Sequence, residues 1–372
     1  MRSPWSRSGL LWCIWTIQAA ALHAISGVAS RGTPKVAFQQ PPSDAVDCVD
    51  PLIGNGGDSP NGSGGMIPST APPFAMTRWV AQTRQNYVSV TPYNYTDNSV
   101  HGFQGTHQPA IWMGESGQIV VVPGAGDVKA VFEERGMAFS HTEEVITPSY
   151  YSVELDAIEG GTIISEQSAT SRVGHLRFTF NDTERPYILI EASRASVMGS
   201  ADPNNLTYPH GAVDIEPVRN EITGHNKERQ DFIIGPNPAT KFAGYFCARF
   251  SEPVVEWGTA SNSDARVVPG QRVRSGSQVS AYVRFDESIK TVEVRVGVSF
   301  ISVDQARRNL DREAPDGTSL EKTAQGTREA WAEKLDRINI DGASTDDKTT
   351  FYTAVFHTLQ VSSYFKERGK FS

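Results

Sequence analysis

The sequence lacks the short motifs that define several common classes of enzyme. It contains no G-x-S-x-G elbow, no G-x-x-x-x-G-K-[ST] loop and no H-E-x-x-H pair. Serine-hydrolase, nucleotide-binding and zincin functions therefore lack their defining residues. The chain also lacks any basic block, and its formal net charge is -8. Because nucleic-acid interfaces concentrate Lys and Arg on one face, we expect no nucleic-acid partner.

Long hydrophobic runs are absent after the N-terminus. The one such run covers residues 9–21, follows Arg2 and Arg7, and precedes small residues that end at Ser30. This order is typical of a secretory signal peptide. A membrane anchor is the alternative, but the run is shorter than the roughly 20 residues that span a bilayer, and His23 interrupts its continuation. We therefore predict signal cleavage, a secreted protein and no membrane association afterwards.

Cysteine is scarce, with three residues in the whole chain. Signal cleavage removes Cys13 and leaves Cys48 and Cys247, an even pair in an oxidising compartment, where a disulfide is expected. The alternative is two separately buried thiols, because Cys247 lies in the strand-like segment 242–250. The secretory route is also supported by four N-glycosylation sequons, at Asn61, Asn94, Asn181 and Asn205.

Short segments rich in Val, Ile, Phe and Tyr fill the region between residues 118 and 300. Segments 174–180 and 292–298 alternate apolar with charged or polar residues, and Gly, Pro, Asn and Asp separate such segments from one another. Many short strands without helices between them indicate an antiparallel β-sandwich that is larger than an immunoglobulin domain.

Helical spacing replaces this alternation after residue 301. Apolar residues recur three or four apart in segment 302–310 and again after Thr318, which forms a predicted capping box with Glu321. A third helix is predicted over residues 346–359. Its expected inward side chains are Phe351, Val355 and Leu359.

A glycine-rich segment, residues 102–117, precedes the apolar run 119–123 and carries the strongest candidate binding groups. Glycine lets the backbone approach a ligand closely, and binding residues concentrate on loops that a rigid sheet supports. An indole can stack on a sugar, while imidazole, amide and carboxylate groups bond to its hydroxyls. The alternative is a well-packed turn with a core tryptophan and a structural histidine. The candidates are His107, Gln108, Trp112 and Glu115.

Three ordered blocks, residues 49–57, 73–76 and 102–123, together resemble the N-terminal domain of glycoside hydrolase family 92. The helical segments 330–338 and 351–359 resemble the linker helix of that family and the first helix of its barrel. Members of the family are secreted, calcium-dependent, exo-acting α-mannosidases. Six residues of the third block match the family pattern without a gap, namely Gly102, Phe103, Thr106, His107, Gly114 and Gly117.

The resemblance implies a mainly β fold with four parts. Residues 1–30 are the signal peptide, and residues 47–300 form a large antiparallel β-sandwich domain. Residues 301–340 form a helical linker, and residues 341–372 begin a truncated catalytic (α/α)6 barrel.

The same resemblance implies a sugar-binding role for the sandwich domain, in hydrolysis of α-mannosidic bonds during N-glycan catabolism. Family members carry the general acid, the general base and the calcium ligands on the barrel. We therefore assign no catalytic or metal-binding residue to this chain, expect mannose-containing glycans as its partners, and expect no hydrolysis by it alone. The alternative function is a secreted carbohydrate-binding module without catalysis. The implied substrate-binding residues are Gly56, Gly57, Thr106, His107, Gln108, Trp112 and Glu115.

Overall fold

Twenty strands and four α-helices make up the described part of the computed structural model, which covers residues 42–57, 65–85, 91–107, 119–193, 196–197, 206–207, 209–227 and 241–360. The helices are α1 (Asp44–Asp47), α2 (Val303–Glu313), α3 (Leu320–Leu335) and α4 (Thr345–Leu359). The strands are β1 (Arg78–Gln82), β2 (Ser99–Val100), β3 (Gly102–Thr106), β4 (Ile119–Gly124), β5 (Met137–Ala138), β6 (Val145–Ile146), β7 (Tyr151–Asp156), β8 (Thr162–Ala169), β9 (Val173–Asn181), β10 (Tyr187–Glu191), β11 (Ser196–Val197), β12 (Leu206–Thr207), β13 (His210–Glu216), β14 (Glu221–Asn226), β15 (Gly244–Phe250), β16 (Glu256–Ser261), β17 (Val267–Pro269), β18 (Val273–Ser277), β19 (Val279–Arg284) and β20 (Thr291–Ser299).

Two large sheets contain most of these strands. The first has seven strands in the order β1-β3-β4-β10-β19-β16-β17, and the second has nine in the order β18-β13-β14-β15-β20-β9-β8-β7-β6. Neighbouring strands are antiparallel in both sheets. Side chains of both sheets form one hydrophobic core, in which the rings of Phe103 and Phe178 lie 5.6 Å apart. The predicted mainly β, antiparallel sandwich is therefore confirmed.

Strand β7 illustrates why these segments form half-buried strands. Tyr151, Val153 and Leu155 are fully buried, while Glu154 between them and Asp156 after them are exposed. Successive side chains of a strand point to opposite faces, so the alternation in the sequence becomes one core face and one solvent face. Burial of each large apolar side chain contributes about 1.5–3 kcal/mol.

Helix α2 packs on the outer face of the nine-stranded sheet. Its residues Ala306 and Leu310 form a buried cluster with Cys247 of β15. A Cβ at Gly297 of β20 would lie 2.3 Å from the main-chain oxygen of Ala306, so this glycine allows the close approach of α2 to the sheet.

The N-terminal end of α3 differs from the prediction. Ser319, rather than Thr318, is the N-cap, because its extended backbone directs the hydroxyl to the main-chain N–H of Lys322 at 3.3 Å.

A second hydrophobic cluster joins α1, α3 and α4. The rings of Trp331 and Phe356 lie 4.6 Å apart at its centre, and Trp331 Nε1 donates to the main-chain oxygen of Ala71 at 2.7 Å. The predicted inward face of α4 is wrong, because Tyr352, Thr353 and Phe356 are its buried residues. The expected trio lies beside this cluster and is only half-buried, namely Phe351, Val355 and Leu359.

The two cysteines of the described chain are free thiols. Cys48 is half-buried beside α1, whereas Cys247 is buried beneath α2. The predicted disulfide is wrong in this structure, because the two sulfurs belong to different hydrophobic clusters.

No helix within the described ranges is long and apolar enough to cross a membrane. The predicted signal peptide, residues 1–30, lies outside the described residues.

Candidate functional site

The candidate site lies at the end of β3, where pairing with β1 brings distant residues together. The register pairs Arg78 with Thr106 and Trp79 with Gly105. A Cβ at Gly105 would lie 2.9 Å from Cζ2 of Trp79, so glycine makes room for this buried indole. Thr106 is buried, and its main-chain oxygen accepts a hydrogen bond from Thr77 Oγ1 at 3.3 Å. Strand pairing therefore holds the backbone that leads into His107.

His107 is held by main-chain and aromatic contacts. Its Nδ1 lies 2.6 Å from the main-chain oxygen of Met76, and its ring centroid is 4.7 Å from that of Phe300. Burial and, to a lesser extent, the nearby positive charge of Arg78 outweigh the hydrogen bond to Met76 and lower the pKa of His107 from 6.5 to about 4. The ring is therefore neutral at neutral pH. Because a carbonyl only accepts, we assign the proton to Nδ1, which makes Nε2 a hydrogen-bond acceptor.

The Gly56–Gly57 turn is supported by a different part of the chain. Gly56 is exposed and Gly57 is half-buried, and the main-chain oxygen of Gly57 accepts a hydrogen bond from Asn94 Nδ2 at 3.2 Å. The oxygen of Asn55 accepts from the main-chain N–H of Tyr95 at 3.0 Å.

Asn94 is therefore a structural residue. It is fully buried, and its Oδ1 accepts hydrogen bonds from the main-chain N–H and the hydroxyl of Thr96 at 2.9 and 2.8 Å. Because the side-chain amide that would carry a glycan is enclosed, we expect no glycan at Asn94. Asn181 is half-buried at the end of β9, and its glycosylation stays a prediction.

The remaining predicted residues lie outside the described part of the chain. Of the seven substrate-binding candidates, the structure brings Thr106 and His107 together and places the two glycines on a separate turn. Outside the described residues are Gln108, Trp112 and Glu115 of the loop and the sequons at Asn61 and Asn205. Their roles stay predictions.

A buried arginine next to His107 was missed in the sequence. Arg78 is 1% exposed, and its Nη2 donates to the main-chain oxygen of Gln360 while Nη1 lies 3.5 Å from Ser69 Oγ. Burial lowers the pKa of Arg78 to about 10, so it stays charged at neutral pH. A charged residue at the start of a strand normally faces solvent, and its partner lies 282 positions away. Only an arginine directly before the apolar run Trp79–Val80–Ala81 could have served as a signal.

A buried polar network supports the segment that contacts the glycine turn. The carboxylate of Glu144 accepts hydrogen bonds from Tyr151 Oη at 2.6 Å and Tyr93 Oη at 2.9 Å, and it lies 2.8 Å from His141 Nδ1. His141 Nε2 lies 2.9 Å from the main-chain oxygen of Asp97. Burial opposes protonation of His141, but the hydrogen bond and charge of Glu144 outweigh it and raise the pKa of His141. These groups bond to one another and serve as a scaffold.

No three His, Cys, Asp or Glu side chains gather in the described residues in a way that could hold a metal ion. Two cavities that described residues line do not include His107 in their lining. One of about 460 Å³ is lined by Arg249, Arg295 and Asp316, which form ion pairs with one another or with neighbouring groups.

Two family profiles match this chain. The glycosyl hydrolase family 92 N-terminal domain matches residues 48–299, and the glycosyl hydrolase family 92 catalytic domain matches residues 305–371.

Solved structures and a curated protein are also similar. The structure of a family GH92 inverting mannosidase from Bacteroides thetaiotaomicron shares 30% identity with a TM-score of 0.73, over 86% of this chain and 40% of that one. A GH92 α-mannosidase from the same organism, solved with mannoimidazole, shares 22% identity with a TM-score of 0.67, over 85% of this chain and 40% of that one. An uncharacterized secreted glycosidase of Arthroderma benhamiae is 22% identical over 85% of this chain and 41% of its own length. The chain thus spans about 40% of the length of these relatives.

Proposed function

Since this chain belongs to glycosyl hydrolase family 92, we propose that it forms the carbohydrate-binding part of a secreted α-mannosidase that acts on N-glycan-type substrates. The observation that carries this proposal is the fixed, neutral imidazole of His107 at the end of β3. A neutral ring that is held in this way introduces no charge into a sugar-binding surface.

Binding, rather than bond cleavage, is the role that we propose for this site. An inverting glycosidase needs two carboxyl groups about 6.5–9.5 Å apart to admit the attacking water. The charged group that affects His107 is a cation, Arg78, rather than a carboxylate. We therefore propose that the acid, the base and the calcium ligands come from the helical domain of the complete enzyme, and that these 372 residues alone release no mannose.

Calorimetric titration of the purified chain with an α-linked mannobiose tests the binding role. We expect millimolar binding that His107→Ala weakens by about tenfold, the effect of about 1.4 kcal/mol from a lost hydrogen bond and contact. The matched control is His210→Ala, because His210 is exposed on β13 of the other sheet. Equal affinities for both variants, or no binding at all, would contradict the proposal.

Release of mannose tests the second part. The chain is incubated with the disaccharide in calcium and in chelator, and free mannose is measured. We expect none in either condition. Release in calcium that stops in chelator would refute the assignment of catalysis to another part of the enzyme.

A secreted carbohydrate-binding module without catalysis is the second candidate, because the described residues contain no cluster of three His, Cys, Asp or Glu side chains that could hold a metal ion. Both candidates predict binding without turnover by these 372 residues. Sequencing the transcript beyond the Ser372 codon separates them. An in-frame continuation with further helical pairs favours the enzyme, and a verified stop codon favours the binding module.

A further inference from the structure

We infer that Arg78 is a positioning residue, which fastens the last turn of α4 to segment 74–78 and thereby sets the place of His107. This inference rests on the proposed function, since it is the proposed sugar-binding role of His107 that gives the attachment its purpose.

The last turn of a helix leaves main-chain carbonyls without partners inside the helix. In α4 two of them are satisfied by the segment that precedes and begins β1. The oxygen of Leu359 accepts from the main-chain N–H of Phe74 at 2.9 Å, and the oxygen of Gln360 accepts from the guanidinium of Arg78. The sandwich therefore caps the C-terminal end of α4.

The charge of Arg78 fits this role better than a role in core packing. Burial is the one cause that shifts its pKa, and no carboxylate of the described residues forms an ion pair with it. A buried cation without a carboxylate is costly, and an apolar side chain would fill the same space at lower cost. The C-terminal end of a helix carries a partial negative charge, which a guanidinium complements. The end of α4 therefore supplies the compensating charge.

The same short segment also holds His107. The main-chain oxygen of Met76 accepts from His107 Nδ1, and the main-chain N–H of Met76 donates to the oxygen of Ser171 in the turn between β8 and β9. This segment thus contacts α4 through Phe74 and Arg78. Between them, Met76 contacts His107 at the end of β3. A shift of α4 moves the peptide group that orients the imidazole.

The test compares Arg78→Met, Arg78→Lys and a control, Gln360→Met, in the 372-residue chain. The control removes a buried side-chain amide whose Nε2 and Oε1 have no hydrogen-bond partner, but it keeps the main-chain oxygen that Arg78 contacts. Hydrogen exchange is followed in the last turn of α4 and, as a reference, in β9. The His107 imidazole is titrated by NMR and assigned with His107→Asn.

We expect Arg78→Met to speed exchange in the last turn of α4 by about tenfold, which corresponds to one lost charge-assisted hydrogen bond, and to leave β9 unchanged. It should also raise the pKa of His107, because a nearby positive charge is lost. Arg78→Lys should keep the pKa of His107 low and restore part of the protection, so it remains informative if Arg78→Met does not fold. Gln360→Met should match the wild type in both measurements.

Two results would overturn the inference. One is unchanged exchange in α4 and unchanged titration of His107 in Arg78→Met. The other is an equal loss of protection in α4 and β9 in both Arg78 variants, which would give Arg78 a general role in stability. Neither measurement uses a sugar, so failure of mannobiose to bind the wild type would refute the proposed function alone.

Discussion

Protonation of His107 should destabilise the fold, and its substitution by a side chain that does not titrate should remove this effect. His107→Asn is the chosen change, because the Asn amide can donate to the main-chain oxygen of Met76 as Nδ1 does now. The pKa of His107 falls from 6.5 to about 4 on folding. Above pH 6.5 neither state binds the proton. Below it the unfolded chain binds the proton first, so the stability from this group is lost as pH falls towards 4.

The magnitude follows from these two pKa values. Each pH unit between them costs about 1.4 kcal/mol, so the free energy of unfolding falls by about 2 kcal/mol between pH 7 and pH 5. Part of His107 stays in contact with solvent, which makes about 2 kcal/mol an upper bound.

Urea denaturation, followed by tryptophan fluorescence at pH 7 and pH 5, measures the effect in both proteins. The wild type should lose up to about 2 kcal/mol more than His107→Asn over this interval. All other titrating groups are shared, so their contributions cancel in the difference. An identical loss in the two proteins would refute the burial of a neutral imidazole at this position.

Three further predictions concern the sandwich. Gly174→Ala should lower the free energy of unfolding by about 1–3 kcal/mol, because a Cβ there would lie 2.0 Å from Cε2 of Trp79. The control is Gly326→Ala on the exposed face of α3, where a Cβ would meet no heavy atom within 4 Å. Thermal denaturation should show a lower melting temperature for Gly174→Ala and a higher one for Gly326→Ala, because Ala favours the helix over Gly. Peptide mapping after glycosidase treatment should find Asn94 unmodified in protein expressed through a secretory host, and a glycan there would contradict its burial. Burial raises the pKa of Cys247 to about 12, so a disulfide reagent should label its thiol only after unfolding, whereas rapid labelling of the folded chain would contradict the structure.

Local patterns in the sequence were sufficient for the class of fold. Alternation in segments such as 174–180 and 292–298 predicted strands that the structure contains as β9 and β20. The change to helical spacing after residue 301 corresponds to α2 beginning at Val303. These features depend on backbone geometry and on which face of an element is apolar, and both are properties of neighbouring residues.

Predictions about individual side chains were less reliable where the answer depended on distant residues. The sequon at Asn94 is a valid local pattern, but the fold encloses its amide against Gly57. The helical spacing of Phe351, Val355 and Leu359 predicted a stripe on α4, but these side chains lie at the edge of the cluster. The fully buried side chain is that of Phe356, which contacts Trp331. In each case a contact over long sequence separation decided which local possibility was realised.

The sequence by itself therefore determined the antiparallel sandwich, the helices that follow it, and the family to which its ordered blocks correspond. The tertiary structure alone decided that the imidazole of His107 is neutral and that Arg78 caps α4. The physical reason is that the pKa of a side chain depends on burial and on nearby charges, and those charges come from chain segments far apart in sequence. The partner of Arg78 lies 282 residues away, and no local pattern encodes that contact.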